Sequence, residues 1–327
     1  MLRLVTLAAA TVIAMASLQL RPVHASSHTA SLDLEDGVPA TARAVRAAAK
    51  KHGLDGKVWL GKLHGVGGGR DTLVYVPSTL DTTRTIDVVV YMEGIDSFAD
   101  KAIDSRHVAS MTRLVGNSVY VAPDSPSSHY AARQSGNEHW QAGCAEQVCE
   151  GGRSAPGDFI VFLGSVRAKL AEMTDAKGDA LDLRLSLIGF SRGGKGVLRA
   201  LEQLADAKFV DGAGLPVRIA DVVYADGNYL ANALDGAWNI LASRPEQPRL
   251  TILVEEGEFT ETGGPDSNRR RALAFWKTVA PDAPLPTATG AVSVARLRLI
   301  PLSLGHYAIG DAAVDFLGIV ESKDTTS

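Results

Sequence analysis

The sequence predicts an α/β fold: a mostly parallel sheet of about eight strands with helices covering both faces. Three observations predict it. From residue 86 onward, short apolar runs rich in β-branched residues alternate with longer stretches whose apolar positions recur at helical spacing. The strand-like runs carry few charges, as strands buried on both faces must. With 327 residues, 46% of them apolar, the chain can bury a large core, and one domain over residues 26–327 accounts for the pattern.

Taken in order, residues 26–36 form a polar leader and 40–51 a short helix rich in Ala, Arg and Lys. Val58, Leu60 and Leu63 precede the glycine cluster of residues 65–69, and a second β run follows at 72–77, which reads as an antiparallel hairpin. Strands are expected at 86–92 and 118–123. A helix over 157–173 is marked by Phe159, Ile160, Phe162, Leu163, Val166 and Leu170. Further strands fall at 183–188, 219–224, 250–254 and 294–301, interleaved with helices at 193–207, 232–242 and 268–279, and a closing helix at 311–320. Residues 124–156 match neither period, and irregular loops of that length usually carry function. Tyr130 and Trp140 in it suit either a substrate rim or fastening of the loop to the core.

The N-terminus reads as a segment removed before folding. Arg3 opens it, residues 4–20 are almost unbroken apolar, Arg21 and Pro22 stop the run, and Val23-His24-Ala25 ends it with an A-x-A-like site suited to cleavage after Ala25. Residues 1–25 are thus expected to be a signal peptide and the chain secreted or periplasmic. An uncleaved anchor is the competing reading. Export makes a disulfide the expected state of Cys144 and Cys149. The spacing of those cysteines from His129 and His139 fits no standard zinc pattern, so no metal is expected. With 37 acidic against 33 basic residues, the net charge of -4 points away from nucleic acid and anionic membranes. Oligomeric state is not legible.

The chemistry is concentrated in LRLSLIGFSRGGKGVLRALEQL. Gly189, Ser191 and Gly193 form G-x-S-x-G between an apolar strand and a helix. A serine on such a sharp turn needs small neighbours, because a Cβ on either side would collide with the bend. The turn lifts the hydroxyl above the sheet at a helix N-terminus, where the N–H of Arg192 can face a developing oxyanion.

On these residues the chain resembles the α/β-hydrolase superfamily, over most of its length. The resemblance implies a nucleophile, an acid and a histidine following one another in sequence, with the histidine after the last strand. Of the eight histidines only His306, in PLSLGHYAIGD, has that position, and it would shuttle the serine proton. The resemblance also places the acid after the penultimate strand, in LTILVEEGEFTETG, where Glu258 is the first choice and Glu256 the next. Asp226, one strand earlier, remains open as the acid or as a carboxylate that fixes its own loop. The loop after residues 86–92 reads MEGIDSF and resembles the second oxyanion turn of esterases, with Glu93 in place of histidine and Gly94 or Ile95 as the donor. Locally, GFSRGGKG is similar to the elbow of glucuronoyl esterases, which implies oxyanion help from Arg192 and substrate contact from Lys195.

The expected activity is hydrolysis of carboxylic esters, on a small molecule or a polymer, through an acyl-enzyme and with no metal or organic cofactor. A peptidase or acyltransferase on the same fold is a second reading. A third is a binding protein on an inactive scaffold.

Overall fold

In the computed structural model, the described residues are 47, 50–65, 71–92, 105–123, 158–191, 193–227, 233–255, 268–285, 287 and 290–318. Among them the elements run in chain order β1 (Gly56–Lys62), β2 (Asp71–Pro77), β3 (Ile86–Met92), α1 (Ser105–Thr112) and β4 (Ser118–Pro123). Next come α2 (Phe159–Thr174), β5 (Leu183–Phe190), α3 (Gly193–Asp206), β6 (Arg218–Ala225), α4 (Ala233–Ala242) and β7 (Arg249–Glu255). The last are α5 (Asn268–Val279), β8 (Val292–Val294), β9 (Leu297–Leu302) and α6 (His306–Ala312), with a 3-10 turn over Ala313–Phe316.

The strands form one sheet in the order β1-β2-β4-β3-β5-β6-β7-β9-β8. The β1–β2 hairpin is antiparallel, β2 meets β4 antiparallel, and every pairing from β4 through β9 is parallel. Parallel neighbours need crossovers, which is why a helix intervenes between most of these strands.

Both faces are buried, so alternate residues of one strand serve different cores. Val88 and Val90 of β3 point into the core that includes Val166 and Leu170 of α2, Leu201 of α3 and Trp276 of α5. Val89 and Tyr91 point into the opposite core, with Val108 of α1 and Ile309 of α6. A strand that is apolar at every position follows directly from this double cover.

Two expectations need correction. The strand read over 294–301 is two: Val292–Val294 and Leu297–Leu302 pair antiparallel about a turn in which Ala295 takes a φ of 50°, so nine strands are found among the described residues. The closing helix begins at His306 and is spent by Phe316. Gly305 caps it by accepting the Ile309 N–H at 3.1 Å, so the candidate histidine opens the helix instead of standing in a loop before it. The α2 helix starts where expected because Asp158 accepts the N–H groups of Ile160 and Val161, both at 3.0 Å. Among the described residues no helix is long and apolar enough to cross a membrane. The leader, the segment 1–25, and Cys144, Cys149, Tyr130 and Trp140 lie outside the described residues.

Candidate active site

Ser191 follows β5 immediately and holds a φ of 52°, a conformation costly to any residue with a Cβ. Its N–H donates to Ala225 O on β6 at 3.1 Å, and its carbonyl accepts the Gly194 N–H at 3.2 Å. These bonds hold the bend between the end of β5 and the first turn of α3. Backbones crowd here. A Cβ on Gly189 would lie 2.7 Å from Gly194 Cα, one on Gly194 would lie 1.8 Å from Gly227 O, and one on Gly227 would lie 2.4 Å from Gly189 O. Among the described glycines, then, Gly194 and Gly227 join Gly189 in the close approach that the sequence motif assigned to Gly189 and Gly193. Ser191 is 8% exposed.

One strand over, Asp226 follows β6 with a φ of 48°, and its N–H donates to Leu253 O of β7 at 2.9 Å. The bond from Ser191 to Ala225 and the one from Asp226 to Leu253 continue the parallel ladder past the strand ends. Both strained residues are therefore held by the sheet. The Asp226 side chain is 9% exposed. Its Oδ1 accepts from Asn268 Nδ2 at 2.8 Å, and the same amide nitrogen reaches Asp226 O at 3.0 Å.

Its other oxygen, Oδ2, lies 2.5 Å from Nδ1 of His306, well within hydrogen-bonding reach. With Nδ1–H donated to Asp226, Nε2 is the nitrogen left to accept a proton. The imidazole, 26% exposed, packs on Phe190 with ring centroids 4.7 Å apart. Phe190 immediately precedes Ser191, so its ring ties the histidine to the serine turn. Space for that ring comes from Gly310, whose added Cβ would lie 2.8 Å from it. From below, the fully buried Tyr91 donates its hydroxyl to Gly310 O at 2.8 Å, fixing α6 against β3. Among the described residues no hydrogen bond joins Ser191 Oγ to His306.

The structure thus brings Ser191, His306 and Asp226 to one end of the sheet, and of the carboxylates weighed from sequence Asp226 meets the imidazole. Glu258 and Glu256, first and second choices for the acid, lie outside the described residues, as do Gly94, Ile95 and Arg192. Lys195 stands half-buried in the first turn of α3. Tyr307, 69% exposed and edge-on to His306 at 5.4 Å, was not singled out from sequence, nor were Asn268 and Tyr91. Asn268 was legible as a helix start, and Tyr91 only as part of an apolar strand. Among the described residues no group of three or more His, Cys, Asp or Glu side chains is placed to hold a metal ion.

The strand order, with a serine bend after β5 and a histidine after the last long strand, is that of the α/β-hydrolase fold. No family model matches the chain, and no curated protein does. Among solved structures it is similar to poly(aspartic acid) hydrolase-1 from Sphingomonas sp. KT-1, at 14% identity over 81% of this chain and 99% of that one, with a TM-score of 0.46. It is also similar to LpqC, a poly(3-hydroxybutyrate) depolymerase from Bordetella parapertussis, at 17% identity over 75% and 80%, TM-score 0.41. A third is the ester-hydrolase EH1AB1 from the metagenome of Lake Arreo, at 11% identity over 86% and 90%, TM-score 0.42.

Proposed function

We propose that the chain is an exported serine hydrolase that cleaves carboxylic esters, with Ser191 as nucleophile, His306 as general base and then acid, and Asp226 as the carboxylate that orients and stabilises the imidazolium. The observation that carries this reading is the 2.5 Å contact between His306 Nδ1 and Asp226 Oδ2, one strand from the strained serine bend. A turn with a φ of 52° at serine is expensive, and backbone strain of that kind clusters where a side chain has chemistry to do.

In the proposed reaction Ser191 Oγ attacks the ester carbonyl carbon as His306 Nε2 removes its proton. The negative charge gathers on the carbonyl oxygen, and the donors proposed for it are the N–H of Arg192 and that of Gly94 or Ile95. Collapse breaks the carbon–oxygen bond of the ester, and His306 returns the proton to the departing alcohol. Water, deprotonated by the same nitrogen, then releases the acid and restores Ser191. Hydrogen bonds between nucleophile and base commonly tighten only when substrate closes the site. Residues 1–25 are proposed to direct export and Cys144–Cys149 to close a disulfide in the oxidising compartment.

Purified protein is expected to hydrolyse a short-chain p-nitrophenyl ester, with Ser191→Ala lowering kcat by roughly four orders of magnitude or more. Turnover that survives Ser191→Ala would remove Ser191 from the reaction.

A further inference from the structure

Asn268 sits 42 residues from Asp226 in sequence, yet its side-chain nitrogen bonds that residue twice: 2.8 Å to Oδ1 and 3.0 Å to the main-chain carbonyl. Bridging the carboxylate and backbone of one residue fixes the carboxylate rotation relative to the peptide. Oδ1 is thereby committed, and Oδ2 is the oxygen turned to His306 Nδ1. Without this clamp the carboxylate of a residue at a φ of 48° would be free to rotate about its Cβ–Cγ bond, and the imidazole would lose its alignment with it.

The clamp stands on a rigid base. Asn268 is the first residue of α5, whose Ala272, Leu273, Phe275 and Trp276 are buried. Trp276 is fully enclosed in the core shared by β3 and β5, and its indole N–H donates to Pro284 O at 3.2 Å. The amide is therefore placed by a packed helix and not by a loop. A site works only if its first contacts are held in place by such outer partners.

We infer that Asn268 is a positioning residue for the reaction, acting through Asp226 to hold His306 in register with Ser191. This rests on the hydrolase reading above. Asn268 touches no reacting atom. Its removal lets Asp226 rotate, and the loss falls on the chemical step while substrate binding is spared.

The test is a cycle of Asn268→Ala and Asp226→Ala, read on ester turnover and on the far-downfield proton NMR resonance of His306 Nδ1–H. Asn268→Ala is expected to lower kcat about 10- to 100-fold, with KM unchanged within about twofold. On the Asp226→Ala background the same change should alter kcat by less than about twofold, since the residue it acts through is gone. The downfield resonance should broaden or vanish in Asn268→Ala. If that variant does not fold, Asn268→Leu keeps the side-chain volume and carries the same expectations. Equal losses on both backgrounds, or an unchanged resonance with unchanged kcat, would overturn the inference. A wild-type protein without turnover would sink the hydrolase reading instead, and the resonance alone would then decide whether Asn268 holds the pair.

Discussion

The two ends of the sheet are built on opposite plans. At the end where the parallel strands begin, three acidic side chains are each met by an arginine. Asp87 pairs with Arg184 through two bonds of 2.5 and 2.8 Å, Asp221 with Arg249 at 2.8 and 3.1 Å, and Asp182 with Arg218 at 2.6 Å. Nearby, Arg167 and Asp211, 4% and 1% exposed, pair at 2.6 Å, and the guanidinium also caps the carbonyls of Leu181 and Gly178. At the end where the strands finish, the backbone is strained at Ser191 and Asp226, and the carboxylate there meets an imidazole nitrogen instead of an arginine. One end satisfies its charges and the other keeps a basic nitrogen available. Open α/β sheets place their ligand chemistry at the carboxyl ends of strands.

The contrast can be broken most sharply by removing the histidine. His306→Ala is expected to lower kcat by roughly four orders of magnitude or more. Its melting temperature should fall only modestly in calorimetry, because the ring is partly exposed and Asn268 still holds Asp226 Oδ1 when Oδ2 loses its partner. The reverse pattern is expected at the other end. Arg167→Met leaves Asp211 buried without its cation and should cost about 3–5 kcal/mol in denaturant unfolding, with kcat per folded molecule unchanged.

Gly194→Ala should injure both properties. Its Cβ would meet the Gly227 carbonyl at 1.8 Å, backbone against backbone, so the elbow must move. A loss of about 1–3 kcal/mol together with a fall in kcat is the expected outcome, read by thermal melts and ester turnover.

The smallest effect is one of pH. Burial raises the Asp182 carboxyl, but the Thr85 hydroxyl and Arg218 outweigh it, and the group titrates below its ordinary value of 3.8. A lowered folded pKa means the folded state binds the proton less tightly, so the contribution is complete above 3.8 and is lost as pH falls through the depressed value. Asp182→Asn should therefore remove less than about 1 kcal/mol at neutral pH, because the pair is exposed and screened, and nothing at the acid end of a pH–stability curve. Asp221 works with the opposite sign. Desolvation, larger than the pull of Arg249, raises its carboxyl, so that group opposes acid unfolding.

Much of this architecture could be read from the chain because double burial leaves a plain signature. A strand such as 86–92 is apolar throughout only if both faces are covered, and α5 begins and ends where its pattern does. The β8–β9 turn was not legible, since Ala295 adopts a φ of 50° without the Gly, Asn or Asp that usually marks one. Ser191 and His306 were visible as positions in an order. The acid was not, because several carboxylates lie near strand ends and only the spatial register of β6 beside β7 and β9 shows which of the described ones meets the imidazole. The role of Asn268 was hidden for a similar reason: a helix-opening asparagine is common, and nothing local announces a bond to a residue across two intervening elements.

Covalent labelling with a fluorophosphonate, mapped by peptide mass spectrometry, tests the pairing of the serine bend with its histidine most directly. One adduct is expected, on Ser191 in the wild-type protein, and its rate of formation should collapse in His306→Ala. Absence of any adduct, labelling at another residue, or equal labelling rates in the two proteins would contradict the account.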